Sequence, residues 1–420
     1  TVPTNGELKY DPESKTLTMK GVTMKLNDDA LKGHIAIHNI NLPDLKIDVQ
    51  GKNQITTKDA DCFQFHATTS IKGTGELTLK AEGNNSAIHI PRTDLTIADI
   101  TLSLTGVFGV VGENNQGALN IQNATVTTDC SQSAFKAMNA FNLTVCRISE
   151  PEGAYWNSSS HQVASGSGTV KKMKIEPFLG FYIAGTPVTS QNVGKLNEIA
   201  GVTVPAEGEL KYDPATKTLT MKNVTVKDLD RKIAFHNQTL SGLTIVASGI
   251  NHFSTKQENC LRFDASTKIT GEGTLTAKAD ATHSGVYLTS EITLDGTTMD
   301  VEGERGFEGN LDHAVLKVKN ARVNIKGSDR AIQKLDLVLE ESKIVVPDGG
   351  TWNNTQKTVM DGSEVAKRVR ILKESDPFEA YLFSIAGVEV TSENVNQLDK
   401  IPGVTLAADG ALSYNKATKT

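Results

Sequence analysis

Apolar residues recur along this chain in short alternating runs, among them Leu45-x-Ile47, Leu95-x-Ile97, Leu119-x-Ile121 and Phe141-x-Leu143. With Ile71 taken as the start of a further run, successive starts lie 26, 24, 24 and 22 residues apart. A second series starts at Leu219 and continues at Leu243, Ile269, Ile292, Leu316 and Leu337, in steps of 24, 26, 23, 24 and 21. Alternation with period two marks a strand with one buried face. No helical stretch separates the copies, so a βαβ sheet, which needs crossover helices, is excluded. The pattern predicts an all-β fold of parallel β-helix coils stacked about 4.8 Å apart.

Two columns sharpen that expectation. Shortly before the markers stands a small residue followed by a large apolar one: Ala36-Ile37, Cys62-Phe63, Ala87-Ile88, Gly109-Val110 and Ala134-Phe135. The second series supplies Ala234-Phe235, Cys260-Leu261, Gly285-Val286, Gly306-Phe307 and Ala331-Ile332. Stacked coils would pile the large residues into an interior file. Four residues after several markers stand Gly21, Asp99, Asn123, Asn223, Gly296 and Asn320, types that tolerate positive φ and so allow a coil to bend.

The coils sit inside a longer repeat. Gly6-Glu-Leu-Lys-Tyr10-Asp-Pro12 returns as Gly208-Glu-Leu-Lys-Tyr212-Asp-Pro214 and, altered, as Gly410-Ala-Leu-Ser-Tyr414, each step 202 residues. Gly185-Thr-Pro-Val-Thr-Ser190 returns as Gly387-Val-Glu-Val-Thr-Ser392. The expected organisation is one β-helix unit over 1–177 with a truncated cap, a complete unit over 178–377, and the start of a third over 378–420. Each unit would hold about six coils. Apolar spacing at Val193, Leu196 and Ile199, repeated at Val395, Leu398 and Ile401, predicts a short capping helix at each junction. The Tyr-Asp-Pro turn adds a hairpin to the same cap.

The run Ala184-Gly-Thr-Pro-Val-Thr-Ser-Gln-Asn192, with Tyr212-Asp-Pro-Ala-Thr-Lys-Thr-Leu-Thr-Met-Lys-Asn-Val-Thr225 and Ile269-Thr-Gly-Glu-Gly-Thr-Leu-Thr276, resembles a module of secreted or surface proteins of gut Bacteroidetes and Firmicutes. Such modules are often called carbohydrate-binding domain-containing. The resemblance covers nearly the whole chain and implies a right-handed β-helix in a bacterial extracellular or cell-surface protein. It brings no ligand residues with it.

Composition narrows the partners. Lys+Arg 43 against Asp+Glu 49 gives a net charge of −6, so no dominant basic surface points to nucleic acid. No apolar run approaches the roughly 20 residues of a spanning helix, so membrane insertion is not expected. Cys62, Cys130, Cys146 and Cys260 form neither a disulfide framework nor a zinc pattern. Cys62 and Cys260 fill the small-residue slot and Cys146 follows a corner. A Cys130 to Cys146 pair has no support from register but stays open. No metal or cofactor is called for.

The candidate ligand site is the column one residue past the interior file, which alternation turns outward. It comprises His38, Gln64, His89, Val111 and Lys136, then His236, Arg262, Tyr287, Glu308 and Gln333. Its mixed hydrogen-bonding groups suit a hydroxyl-rich polysaccharide or a cell-surface glycan, although aromatic residues are only 5% of the chain. Trp156 and Trp352 lie past the last coils, where they would cover an open end. Lys171-Lys-Met-Lys174 and Lys367-Arg-Val-Arg370 read as strands whose charges discourage edge pairing. The column holds one carboxylate, Glu308, too few for a calcium-dependent lyase. The sequence therefore favours a non-catalytic repeat region that binds carbohydrate or another surface ligand along a coil face. A structural stalk or adhesin spacer is the alternative, and a β-helix polysaccharide lyase or hydrolase the third reading.

Overall fold

The computed structural model describes residues 6–415, apart from 167, 281, 312, 379, 393, 408 and 409. Strand makes up 57% of the chain and helix 2%, in a β-solenoid of about 12 turns. The chain divides into two compact units, Thr1–Leu179 and Gly180–Thr420. Among the described residues no helix is long and apolar enough to cross a membrane.

In the first unit, Thr16–Lys20, Leu45–Gln50, Thr69–Lys72, Leu95–Ala98, Ala118–Gln122 and Ala140–Thr144 stack as parallel rungs of one sheet. Thr218–Lys222, Leu243–Ser248, Thr267–Thr270, Glu291–Asp295, Val315–Lys319 and Asp336–Glu340 do the same in the second. The hairpin expected around each Tyr-Asp-Pro turn forms, with Glu7–Asp11 and Glu209–Asp213 antiparallel to the first rungs. The remaining faces of each coil belong to a second sheet. There Thr101–Gly112 and Thr125–Lys136 run on through two faces, with a register irregularity between Gly106 and Phe108.

The interior file is a single column. Ile37 pairs in register with Phe63, Phe63 with Ile88, Ile88 with Val110, and Val110 with Phe135. Phe235, Leu261, Val286, Phe307 and Ile332 repeat it. All but Ile37 are buried, and each buried side chain contributes roughly 1.5–3 kcal/mol. The preceding residue is small because the next coil crowds it. A Cβ on Gly306 would stand 2.1 Å from Ile325 Cγ2 and 2.7 Å from the Ala331 carbonyl oxygen.

The structure corrects the rung register in three coils, at Ile71, Leu219 and Ile269. Ile71 lies opposite Ile47 and Ile97, whereas Thr69 holds the row of Leu45 and Leu95. Counted from Thr69, the steps become 24, 26, 24 and 22. Ile269 and Leu219 likewise share the row of Ile245, and Thr267 faces Leu243. At Thr69 and Thr267 the reason is a buried hydroxyl in an apolar row. Thr69 accepts a hydrogen bond from Asn39 Nδ2 at 2.9 Å, and Thr267 accepts the same from Asn237 at 2.8 Å. Each asparagine also donates to the carbonyl and accepts from the amide of the residue three positions on, Leu42 or Leu240. The recurrence of His-Asn between units thus has a structural source in its buried asparagine.

The corners behave as expected: Gly21, Asp99, Asn123, Asn223, Gly296 and Asn320 all have φ between 44° and 73°. In the last coils the same column is held by Val145 and Glu341, with φ of 53° and 49°. Gly73 and Gly271 are turns against the neighbouring coil, where a Cβ would come within 2.2 Å of the Val49 or Ala247 carbonyl oxygen. One coil differs in length. Leu17 to Ile47 spans 30 residues where Leu219 to Ile245 spans 26, and the extra residues lie in the exposed turn between Leu26 and Ile37.

Two other expectations change. The junction segments are short 3-10 turns, Val193–Glu198 and Leu398–Lys400, and the first is broken by non-helical Lys195. Gly194 and Asn197 are poor helix formers, and Asn192 spends its side chain on Thr189 N at 2.8 Å and the Pro187 carbonyl at 2.9 Å. The Lys-rich strand is not at an edge. Lys172–Pro177 runs antiparallel between Thr125–Lys136 and Cys146–Glu150, and Arg368–Lys373 is placed the same way. Its charges are matched across the strands, as in Lys172 to Asp129 at 3.1 Å. Trp156 packs on Phe141 at a ring separation of 5.9 Å, against the core of the first unit. All four cysteines are free thiols, Cys130 and Cys146 included.

Candidate functional site

Strand register builds the candidate column one rung at a time. In the second unit His236, Arg262, Tyr287, Glu308 and Gln333 stand in successive register. In the first, His38, Gln64, His89, Val111 and Lys136 do so. The column is therefore contiguous in each unit, but its members differ in what they can offer a ligand.

In the second unit the organising group is Asp264, which the sequence reading did not select. Its carboxylate takes His236 Nε2 at 2.7 Å, Arg262 Nε at 2.9 Å and the Thr289 hydroxyl at 2.9 Å. Burial pushes the Asp264 carboxyl upward, but these donors outweigh it and hold the group below the ordinary carboxylate range. Arg262 is in turn fixed over the Tyr287 ring, 5.4 Å from its centroid. On the other side Tyr182 stacks on His236, with centroids 5.5 Å apart and planes within 15°. Tyr182 comes from the Phe181–Ile183 strand, which pairs antiparallel with Phe235–Asn237. The result is a strip of two half-buried tyrosines, an imidazole and a guanidinium held by one carboxylate.

Further along, Glu308 accepts from the Ser284 hydroxyl at 2.6 Å and from Gln333 Nε2 at 2.8 Å. Gln333 is buried at 6% exposure, so it supports Glu308 from beneath and presents no surface of its own. In the first unit His38 and His66 rings lie 5.3 Å apart, and burial, then the neighbouring imidazole, lowers the His38 pKa. His89 Nδ1 stands 3.3 Å from Asp61, and Lys136 Nζ lies 5.9 Å from the Phe108 ring centroid. Gln64 sits half-buried between His38 and His89. No tyrosine belongs to this column. The two faces share a geometry and not a chemistry.

The structure also holds a groove that no repeat pattern marks. Its volume is about 560 Å³, and Asp300, Glu302, Asn324, Arg370, Val388 and Thr391 are among the residues that line it in the second unit. Glu302 sits between Lys326 at 2.9 Å and Lys278 at 3.3 Å, and these bonds, Lys326 first, lower its pKa. Asp300 accepts from Asn324 at 2.6 Å. Its acidic groups are thus paired with the groove's own cations and amides. Among the described residues no three His, Cys, Asp or Glu side chains gather as a metal site.

Of the groups missed by sequence, Asp264 had a usable signal: it stands two residues after Arg262, and alternation puts both on one side of the strand. Tyr182 had none, because its place depends on an antiparallel pairing outside the coil period. Compared with known proteins, the chain matches no family model, no curated protein and no solved structure.

Proposed function

We propose that this chain is a non-catalytic, extracellular bacterial scaffold that binds carbohydrate along the coil face of its second unit. One observation carries the reading: Tyr182, His236, Arg262 and Tyr287 form a continuous strip locked by Asp264. Rings supply apolar faces for pyranose C–H groups, and the guanidinium and carboxylate supply fixed donors and acceptors for hydroxyls. A rigid strip binds without first paying ordering entropy. The same proposal takes in right-handed winding, tandem units of six coils, and 3-10 segments that serve as caps.

The test is a polysaccharide and glycan-array screen with the 420-residue chain, repeated with Tyr287→Ala and Arg262→Ala. Each substitution is expected to weaken binding roughly tenfold or more, as loss of a central anchor does. Blank arrays with the parent chain, or binding that both variants retain, would overturn the reading in favour of a spacer without its own ligand.

A further inference from the structure

The carboxylates and cations of the second unit's strip stand at different depths. Asp264 and Glu308 have side chains only 17% and 14% exposed. Arg262, Arg305 and Lys334, which pair with them, are 37%, 29% and 52% exposed. A ligand arriving from solvent therefore meets positive charge first, with the negative charge beneath it.

The acidic groups are also occupied. Asp264 accepts from His236, Arg262 and Thr289, and Glu308 from Ser284 and Gln333. Arg262 is spent on one edge only. Its Nε donates to both Asp264 oxygens, at 3.1 and 2.9 Å, and among the described residues its Nη1 and Nη2 make no hydrogen bond. The Tyr287 ring and the Asp264 carboxylate together hold the guanidinium in place. A guanidinium anchored by one edge and open at its end offers paired donors that match the two oxygens of a carboxylate.

We propose, on the footing of the carbohydrate reading above, that the ligand is an acidic polysaccharide with a uronate carboxylate seated on the Nη1 and Nη2 groups of Arg262. Arg305 and Lys334 flank Glu308 further along the strip, at 3.5 and 3.9 Å from its carboxylate. Gln333, next to Lys334, lies three rungs from Arg262, on the order of 14 Å by rung spacing. A polymer charged on successive sugars meets the cations at both places. The first unit lacks the seat. His66 N and Asp264 N donate to the Asn39 and Asn237 carbonyls, so the two positions are equivalent, and Gln64 stands where Arg262 does.

Calorimetry of the 420-residue chain with polygalacturonate, alginate and hyaluronan in calcium-free buffer, each beside its methyl ester, tests the proposal. The ester keeps the sugar chain and removes the charge. At least one acid form is expected to bind roughly tenfold or more tighter than its ester, with a difference that shrinks in high salt. Arg262→Gln, which copies the first unit, should abolish most of that preference. Arg262→Lys should restore it only in part, because an ammonium keeps the charge without the fork. Lys334→Gln, at an exposed position that leaves Asp264 untouched, should weaken the acid form several-fold and spare its ester. Esters bound as tightly as acids, an acid preference that Arg262→Gln and Lys334→Gln both leave intact, or binding to neutral glycans alone would overturn the acidic ligand and leave carbohydrate binding standing. Blank results with acids, esters and neutral glycans alike would overturn both.

Discussion

Val145 turns the last corner of the first unit with φ of 53°, in the column held earlier by Asp99 and Asn123. A β-branched residue in this left-handed region costs roughly 1–2 kcal/mol, and asparagine adopts it with much less strain. One coil back, Asn123 Nδ2 donates to Asp99 Oδ1 at 2.8 Å, while Asn123 Oδ1 is buried without a hydrogen-bond partner. Val145→Asn would set an amide donor one coil above that oxygen and repeat the bond already made. The added hydrogen bond contributes about 0.5–1.5 kcal/mol. Against this stands the apolar contact of a valine already 39% exposed, worth under about 1 kcal/mol. The net expectation is a gain of about 1–2 kcal/mol, or roughly 3–6 °C in the melting of a unit of this size. Thermal unfolding followed by circular dichroism, with Val145→Ala as the control that adds no donor, measures it. If Val145→Asn melts at or below the parent chain, neither corner strain nor the unpaired carbonyl is what the geometry says.

Asn237→Ala removes the buried amide that joins Thr267 and Leu240, and should destabilise the second unit by about 2–4 kcal/mol in urea unfolding; a loss below about 0.5 kcal/mol would refute its structural role. For Asp264 the sign follows from its lowered pKa: the folded carboxyl stays ionised at a pH where an ordinary aspartate is already protonated, so its contribution is full above the ordinary carboxylate range and is lost as pH falls through the folded value. The melting difference between the parent and Asp264→Asn should therefore be constant at neutral pH and shrink in acid; a difference that widened in acid would reverse the assignment.

Much of the architecture was legible because a coil has a period that side-chain size must obey. The file from Phe63 to Phe135 and the corner residues Asp99 and Asn123 are read directly from residue type and spacing. Thr69 and Thr267 broke the reading of register, since a polar side chain in an interior row is invisible until its partner asparagine is placed. The Lys172 strand misled for a related reason: its charges look suited to an open edge, but they face Asp129 across a paired one. At the site, spacing located His236, Arg262 and Tyr287, and alternation could have located Asp264. Tyr182 and the groove beside Val388 arise from segments that fold back against the coils, where no periodicity reaches.

The longer first coil carries a lesson about how such a chain can change. Its extra residues sit wholly in the exposed turn between Leu26 and Ile37, and the rungs on either side keep their pairing. At Gly73 and Gly271 the opposite holds, because the neighbouring carbonyl leaves no room even for a methyl group. A foreign loop or epitope grafted between Leu26 and Ile37 would thus ride on the outside of the winding, whereas one inserted at the glycine turns would unseat every rung above it.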